Sequence, residues 1–137
     1  MDATRIHTDA VIAKLQGAGL TVGDAIGKTA AGADLTKPHA IVFPGPGELM
    51  GTIDDPESYG EMTWRVIYVG TGREQAEFAR DKGRAALLAG FEVEGFAIVR
   101  VKVDPVGSVD RDDSVKPSVY FCSEGYRAFT TPDNGGS

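Results

Sequence analysis

The sequence predicts an α+β fold: a mainly antiparallel or mixed sheet of about five strands with two helices packed on it, in the order α-β-β-β-α-β-β. Three observations lead there. Segments 3–17 and 73–89 carry helical spacing between turn residues. Runs 62–69 and 96–103 alternate from face to face as half-buried strands do. The composition, 42% hydrophobic and 25% charged over 137 residues, suits one globular domain with a real core. Two helices can cover one face of such a sheet, giving a two-layer sandwich. Residues 1–130 are expected to form this domain, and 131–137, "TPDNGGS", a flexible tail.

The first helix can be capped by Asp2 or Thr4 and is stopped by Gly17 and Gly19. Val11, Ile12 and Leu15 share one face, and Ile6, Ala10 and Ala13 lie nearly opposite. Two apolar faces on one helix predict burial on two sides, one of them against another chain. A short strand "LTV" follows, then a loop-like stretch "GKTAAGADLTKP" (27–38). "HAIVF" is a short apolar strand ended by "PGPG". Residues 44–61 have turn chemistry and neither period, so they read as one long loop, of the kind that carries function or is disordered.

"MTWRVIYV" (62–69) places Trp64, Val66 and Tyr68 on one face, as core, and Arg65, Ile67 and Val69 on the other. The second helix sets Ala76, Ala79, Gly83 and Ala86 on one stripe that lets it lie close to a sheet. Phe78, Leu87 and Leu88 add bulk beside that stripe, and Glu77, Arg80, Asp81 and Arg84 form a solvated face. In "FAIVRVKV" (96–103), Ala97, Val99, Val101 and Val103 are expected inward, with Arg100 and Lys102 opposite. "PSVYFCSEGYRAFT" (117–130) is its antiparallel partner, and Tyr120 and Phe121 face opposite sides of it. The connection between them is long and acidic.

The formal net charge of −6 argues against general affinity for nucleic acid, which needs a basic surface. It suits a soluble protein, or one lining a passage through which DNA must slide. The single cysteine, Cys122, rules out an internal disulfide and reads as a buried structural thiol; a nucleophile would need one of the two distant histidines, His7 or His39. No apolar run approaches the roughly 20 residues of a membrane span, and the N-terminus does not look like a signal peptide, so a cytoplasmic protein is expected.

Three stretches come near to ligand motifs. "YVGTGREQ" supplies Gly70 and Gly72 of a dinucleotide fingerprint, but Gln75 stands at the third glycine position. Thr71 and Glu74 have capping-box spacing, which would consume the helix N-terminal donors and place a carboxylate where a phosphate would sit. "GDAIGKT" has three residues between Gly23 and Gly27 where a P-loop has four, and no helical pattern after it. "DRDDS" begins like a calcium loop, but Val115 replaces the required glycine and Phe121 the required glutamate, so a solvated acidic hairpin tip is expected. No catalytic or metal-ligating constellation stands out.

The order of elements, with "RVIYVGTGREQAEFARDKGRAALL" and "VRVKVDPVGSVDRDDSVKPSVYFCSEGYRAF", resembles the tail terminator proteins of long-tailed bacteriophages, those of actinobacterial phages above all, over residues 3–130. The resemblance implies a small α+β subunit of a six-membered ring in the virion, at the head-proximal end of the tail. Such a ring stops tube polymerisation and offers a surface for joining the head, with no catalysis and no cofactor. Its partners are further copies of itself, the tail tube protein and head–tail connector proteins, while DNA passes through without specific binding and no membrane is involved. The family has no catalytic residues to carry over, and the long 44–61 loop departs from its pattern. A ring contact needs two different adhesive surfaces per subunit.

Candidate interface residues toward another subunit or the tube are Ile6, Ala10, Ala13, Glu48, Leu49, Met50 and Tyr59. Asp110, Asp112 and Asp113 are candidates for an acidic lumen or loop tip. Other readings are a stopper or adaptor ring of the head–tail connector, a small nucleotide-dependent enzyme using Gly70–Gly72 or Lys28, and a ligand-binding α+β domain with an enclosed apolar pocket.

Overall fold

Two long strands far apart in sequence form the centre of the sheet. The computed structural model describes residues 3–23, 38–45, 48–50, 59–105, 108–113 and 119–132. In chain order these hold α1 (Ala3–Gly17), β1 (Thr21–Val22), β2 (His39–Pro44), β3 (Glu48–Met50), β4 (Tyr59–Gly70), α2 (Arg73–Leu88), β5 (Phe96–Pro105), β6 (Asp110–Asp112) and β7 (Val119–Pro132). The sheet runs β1-β2-β4-β7-β5, with β3 also pairing β4 and β6 also pairing β7. Only β1 and β2 are parallel; the other described pairs are antiparallel. The expected order therefore holds for the long elements, with two short strands added to it. The sheet is mixed, as expected.

The expected pairing of the last two long strands is present, from Phe96↔Pro132 to Pro105↔Glu124. The alternation of β4 holds as well. Trp64, Val66 and Tyr68 are buried toward the helices, Arg65 is exposed on the other face, and Val69 is buried there with Ile41 and Val119. Both helices lie on one face: α2 packs on β4 and β7, and α1 on β1, β2 and α2. The main core fills the space between, from Val11 and Leu15 of α1 to Leu87 of α2 and Tyr126 and Ala128 of β7. Each fully buried Leu or Val there is worth about 1.5–3 kcal/mol.

Several details depart from the sequence reading, each for a local reason. Segment 44–61 is not one loop. Its residues 48–50 form β3, and β4 begins at Tyr59, with Leu49↔Gly60 in register. Neither piece shows alternation, because a short edge strand is held by backbone bonds to its neighbour. Ala97 is exposed and Ile98 packs against the core. Ile98 opposes Thr130 and Arg100 opposes Phe129, so Val99 is an inserted bulge residue that switches the phase of the strand. After it Val101 and Val103 face in, with Arg100 and Lys102 out, as expected.

On α1 the buried stripe is His7, Val11 and Leu15, and Ile6 and Ala10 are half-buried against the edge of the core instead of facing away from it. The helix ends where Gly19 takes φ 92°, a left-handed conformation that glycine adopts without strain. On α2 Ala76, Ala79, Gly83 and Leu87 face the sheet, while Phe78 and Leu88 point to solvent. Thr131 and Pro132, placed in the tail by the sequence, belong to β7. The "GKT" stretch, most of the 27–38 loop, Ser114–Val115 and residues 133–137 lie outside the described residues.

Candidate functional site

The Gly70–Thr71–Gly72 turn, one of the three near-motifs, joins β4 to α2. Gly72 is the N-cap of α2, with extended backbone and no side-chain cap. The capping box of Thr71 and Glu74 is therefore absent: the helix begins one residue later than that box requires. Gln75 does the equivalent work, its Oε1 accepting from the Thr71 amide at 2.9 Å and from Thr71 Oγ1 at 2.6 Å. The amide of Ala76 donates to the Gly72 carbonyl at 3.1 Å. A Cβ on Gly70 would lie 2.6 Å from the Ala76 nitrogen. This turn packs closely on its own helix, and Gln75 engages the Thr71 amide and hydroxyl.

The buried polar groups form a second cluster, which the sequence did not reveal. Glu124 of β7 is 2% exposed. Arg84 of α2 reaches it with both Nε, at 3.2 Å, and a terminal guanidinium nitrogen. The Tyr126 hydroxyl donates to Glu124 Oε1 at 2.8 Å and lies 2.7 Å from the Tyr68 hydroxyl. Burial pushes both tyrosines well above the ordinary tyrosine pKa of 10.0, and the bonds to Glu124 raise the pKa of Arg84. The chain Arg84–Glu124–Tyr126–Tyr68 thus ties α2 to β7 and β4. No signal in the sequence marked Glu124, because on an alternating strand it shares the inward face with Cys122 and Tyr126 whatever its charge.

The other reactive side chains have structural partners as well. Cys122 is buried beside the Ala76 carbonyl, Sγ to O 3.9 Å, and desolvation raises its pKa, so the thiolate is disfavoured. His7 Nε2 lies 2.8 Å from Thr130 Oγ1, and its ring packs on Phe96 with centroids 4.6 Å apart. The Trp64 indole donates to Thr8 Oγ1 at 3.1 Å. Among the described residues no three His, Cys, Asp or Glu side chains are placed to hold a metal ion, and no helix is long and apolar enough to cross a membrane.

The expected interface residues fall in two places. Ala10 and Ala13 line an open groove of about 630 Å³ between α1 and the end of α2, with Lys14, Gly90, Phe91 and Glu92; Ile6 lies on the same flank. Glu48, Leu49 and Met50 form β3, and Tyr59 opens β4 opposite Met50. The two groups lie on different elements, one on α1 and one on the β3–β4 pair. Asp110 and Asp112 are not a hairpin tip: they lie in β6, paired with Phe121 and Val119 of β7. Asp113, just beyond, pairs with Arg111 at 2.7 Å.

Sequence reasoning missed where the exposed large apolar side chains lie. Phe78 is 58% exposed and Leu88 48%, on the outer face of α2. Phe129 is 42% exposed and Phe43 39%, on the sheet face opposite α1 and α2. The signal for the first pair was present: Phe78 and Leu88 fall opposite the Ala76–Ala79–Gly83 stripe.

No sequence model of a known family matches the chain, and no curated protein sequence does. Solved structures do. A chain from the virion of a native gene transfer agent particle superposes with TM-score 0.63 at 14% identity, over 96% of this chain and 99% of that one. The bacteriophage SPP1 gp17 protein superposes with TM-score 0.56 at 17% identity, over 98% of this chain and 94% of its own. At such identities the likeness is one of fold: this chain has, nearly end to end, the fold of proteins from a gene transfer agent virion and from a bacteriophage.

Proposed function

We propose that the chain is a structural protein of a phage tail. In this reading six copies close a ring on the head-proximal end of the finished tube, stop further polymerisation and present the surface to which the head joins. The observation that carries this is the fold shared with a virion component over almost the whole of both chains. The side-chain chemistry agrees with it. The buried ionisable groups tie helix to sheet, and the large apolar side chains on the surface are left for contacts between proteins.

In this reading the α1 flank with Ile6, Ala10 and Ala13, and the edge formed by Glu48–Met50 and Tyr59, meet the tube protein or a connector protein. Asp110, Asp112 and Asp113 face the passage and keep DNA from adhering, since like charges repel within a Debye length of about 8 Å. The subunit needs no cofactor.

The test is the native mass of the purified protein over a wide concentration range, with negative-stain images of any large species. A closed ring of about six subunits is the expected result. A protein that stays monomeric at every concentration, and that isolated tail tubes do not recruit, overturns the reading. Loss of the protein should give tubes of irregular length or tubes without heads. Heads that leak their DNA would point instead to a stopper.

A further inference from the structure

The sheet has two unlike faces. One is covered by α1 and α2. On the other, register places Phe43 beside Arg65, Arg127 beside Lys102, and Phe129 beside Arg100. All six are exposed. Arg65 lies over the Phe43 ring, 5.5 Å from its centroid, and Arg127 bonds Asp104 at 2.9 Å. Four basic side chains of the patch stand against Glu61 and Asp104 beside them, and Asp110 and Asp112 lie on the same face at its other end, in a chain whose formal net charge is −6. It is a basic, aromatic surface on an acidic protein, at the end of the sheet face away from the buried Ile41–Val69–Val119 cluster, where no helix among the described residues covers it.

The outer face of α2 is its counterpart. Glu74, Phe78, Asp81, Ala85 and Leu88 recur at three- and four-residue spacing and are all exposed. This stripe lies opposite the one buried on the sheet. It carries two carboxylates and two large apolar side chains, and Glu74 has no partner among the described residues. An exposed helix stripe with an apolar core wants a sheet beneath it, and a half-covered sheet wants a helix above it.

Within the ring reading, on which this rests, we propose that the subunit contact is made by the outer face of α2 on one copy seated on the open sheet face of the next. Phe78 and Leu88 pack against Phe43 and Phe129, and Glu74 and Asp81 approach Arg65, Arg100, Lys102 and Arg127. The two surfaces differ and lie on opposite sides of the subunit, since α2 covers one sheet face and the patch occupies the other. That is the head-to-tail arrangement a closed ring requires.

Two charge-reversed proteins test it: Arg100→Glu with Lys102→Glu on the sheet, and Glu74→Arg with Asp81→Arg on α2. Every substituted side chain is exposed, so both proteins should fold, as circular dichroism and thermal melts can verify. Each alone should fail to assemble, its contact weakened on the order of 100-fold by like charges. Mixed in equal amounts, they should recover wild-type native mass, because every contact in an alternating ring again joins opposite charges.

Variants that assemble alone as the wild type does overturn the proposal while leaving the ring reading standing, with another surface, such as the α1 flank, making the contact. Loss of assembly without recovery on mixing overturns it too, and assigns the patch to a different partner. A wild type that never assembles removes the ring reading and this contact together.

Discussion

Glu124 is buried with its carboxylate held by the Arg84 guanidinium and the Tyr126 hydroxyl. Desolvating a carboxylate costs several kcal/mol, and only such bonds offset it. The partners are not equivalent. Arg84 is 37% exposed and water can replace part of it, while Glu124 has no route to solvent without the sheet opening. Arg84→Ala should therefore destabilise the fold by about 2–4 kcal/mol, near the lower end for breaking a buried pair. Urea denaturation of the variant against the parent measures this. A loss below about 0.5 kcal/mol would mean that the pair behaves as an ordinary surface ion pair.

At the scale of elements, the seam between α2 and β4 is set by what is missing from one residue. Gly83 faces the Tyr68 ring, and a methyl group there would lie 2.7 Å from Tyr68 Cζ, among other overlaps. Alanine is the better helix former by about 1 kcal/mol, so propensity alone predicts that Gly83→Ala stabilises. Packing predicts the reverse. The ring cannot retreat without losing its hydroxyl contact with Tyr126, and the helix cannot rise without opening the core. Overpacking of this kind costs about 1–3 kcal/mol or somewhat more, so a net loss is expected. A variant with a higher melting temperature than the parent would refute the close-approach account. The same seam shows what could be read in advance. Small residues at helical spacing disclosed the close face of α2, but which ring it met depended on β4 and β7 pairing across more than fifty residues of chain.

For the molecule as a whole, the buried tyrosine pair links stability to alkaline pH. Both hydroxyls titrate above the ordinary value of 10.0, chiefly because burial disfavours the phenolate. Below pH 10 folded and unfolded chains both keep these protons, so the contribution is fully present. Above it the unfolded chain releases them while the folded one holds them, and stability falls as pH rises. The slope can reach about 1.4 kcal/mol per pH unit for each tyrosine. Tyr68→Phe removes one of the two groups. It should cost about 1 kcal/mol near neutral pH through the lost hydrogen bond and make the alkaline decline shallower. Urea midpoints measured between pH 8 and 11.5 test this, and an unchanged slope in the variant would show that Tyr68 does not carry the linkage.

What the sequence determined by itself is what depends on local spacing. The α+β class, the order of the long elements, the inward faces of β4 and α2, the pairing of β5 with β7 and the buried Cys122 all follow from periodicities a few residues long. The turn residues at Gly70–Gly72 were legible as the start of a helix, but Gln75 and not Glu74 closes the turn. The tertiary structure decided whatever needs two distant segments to meet. Only the sheet order brings Glu124 under Arg84, and only the Val99 bulge turns Ala97 out and Ile98 in ahead of it. Only the placement of both helices on one face leaves the basic, aromatic patch open on the other. Periodicity shows that a side chain has an inside and an outside; which partner covers it depends on contacts whose sequence separation no short pattern records.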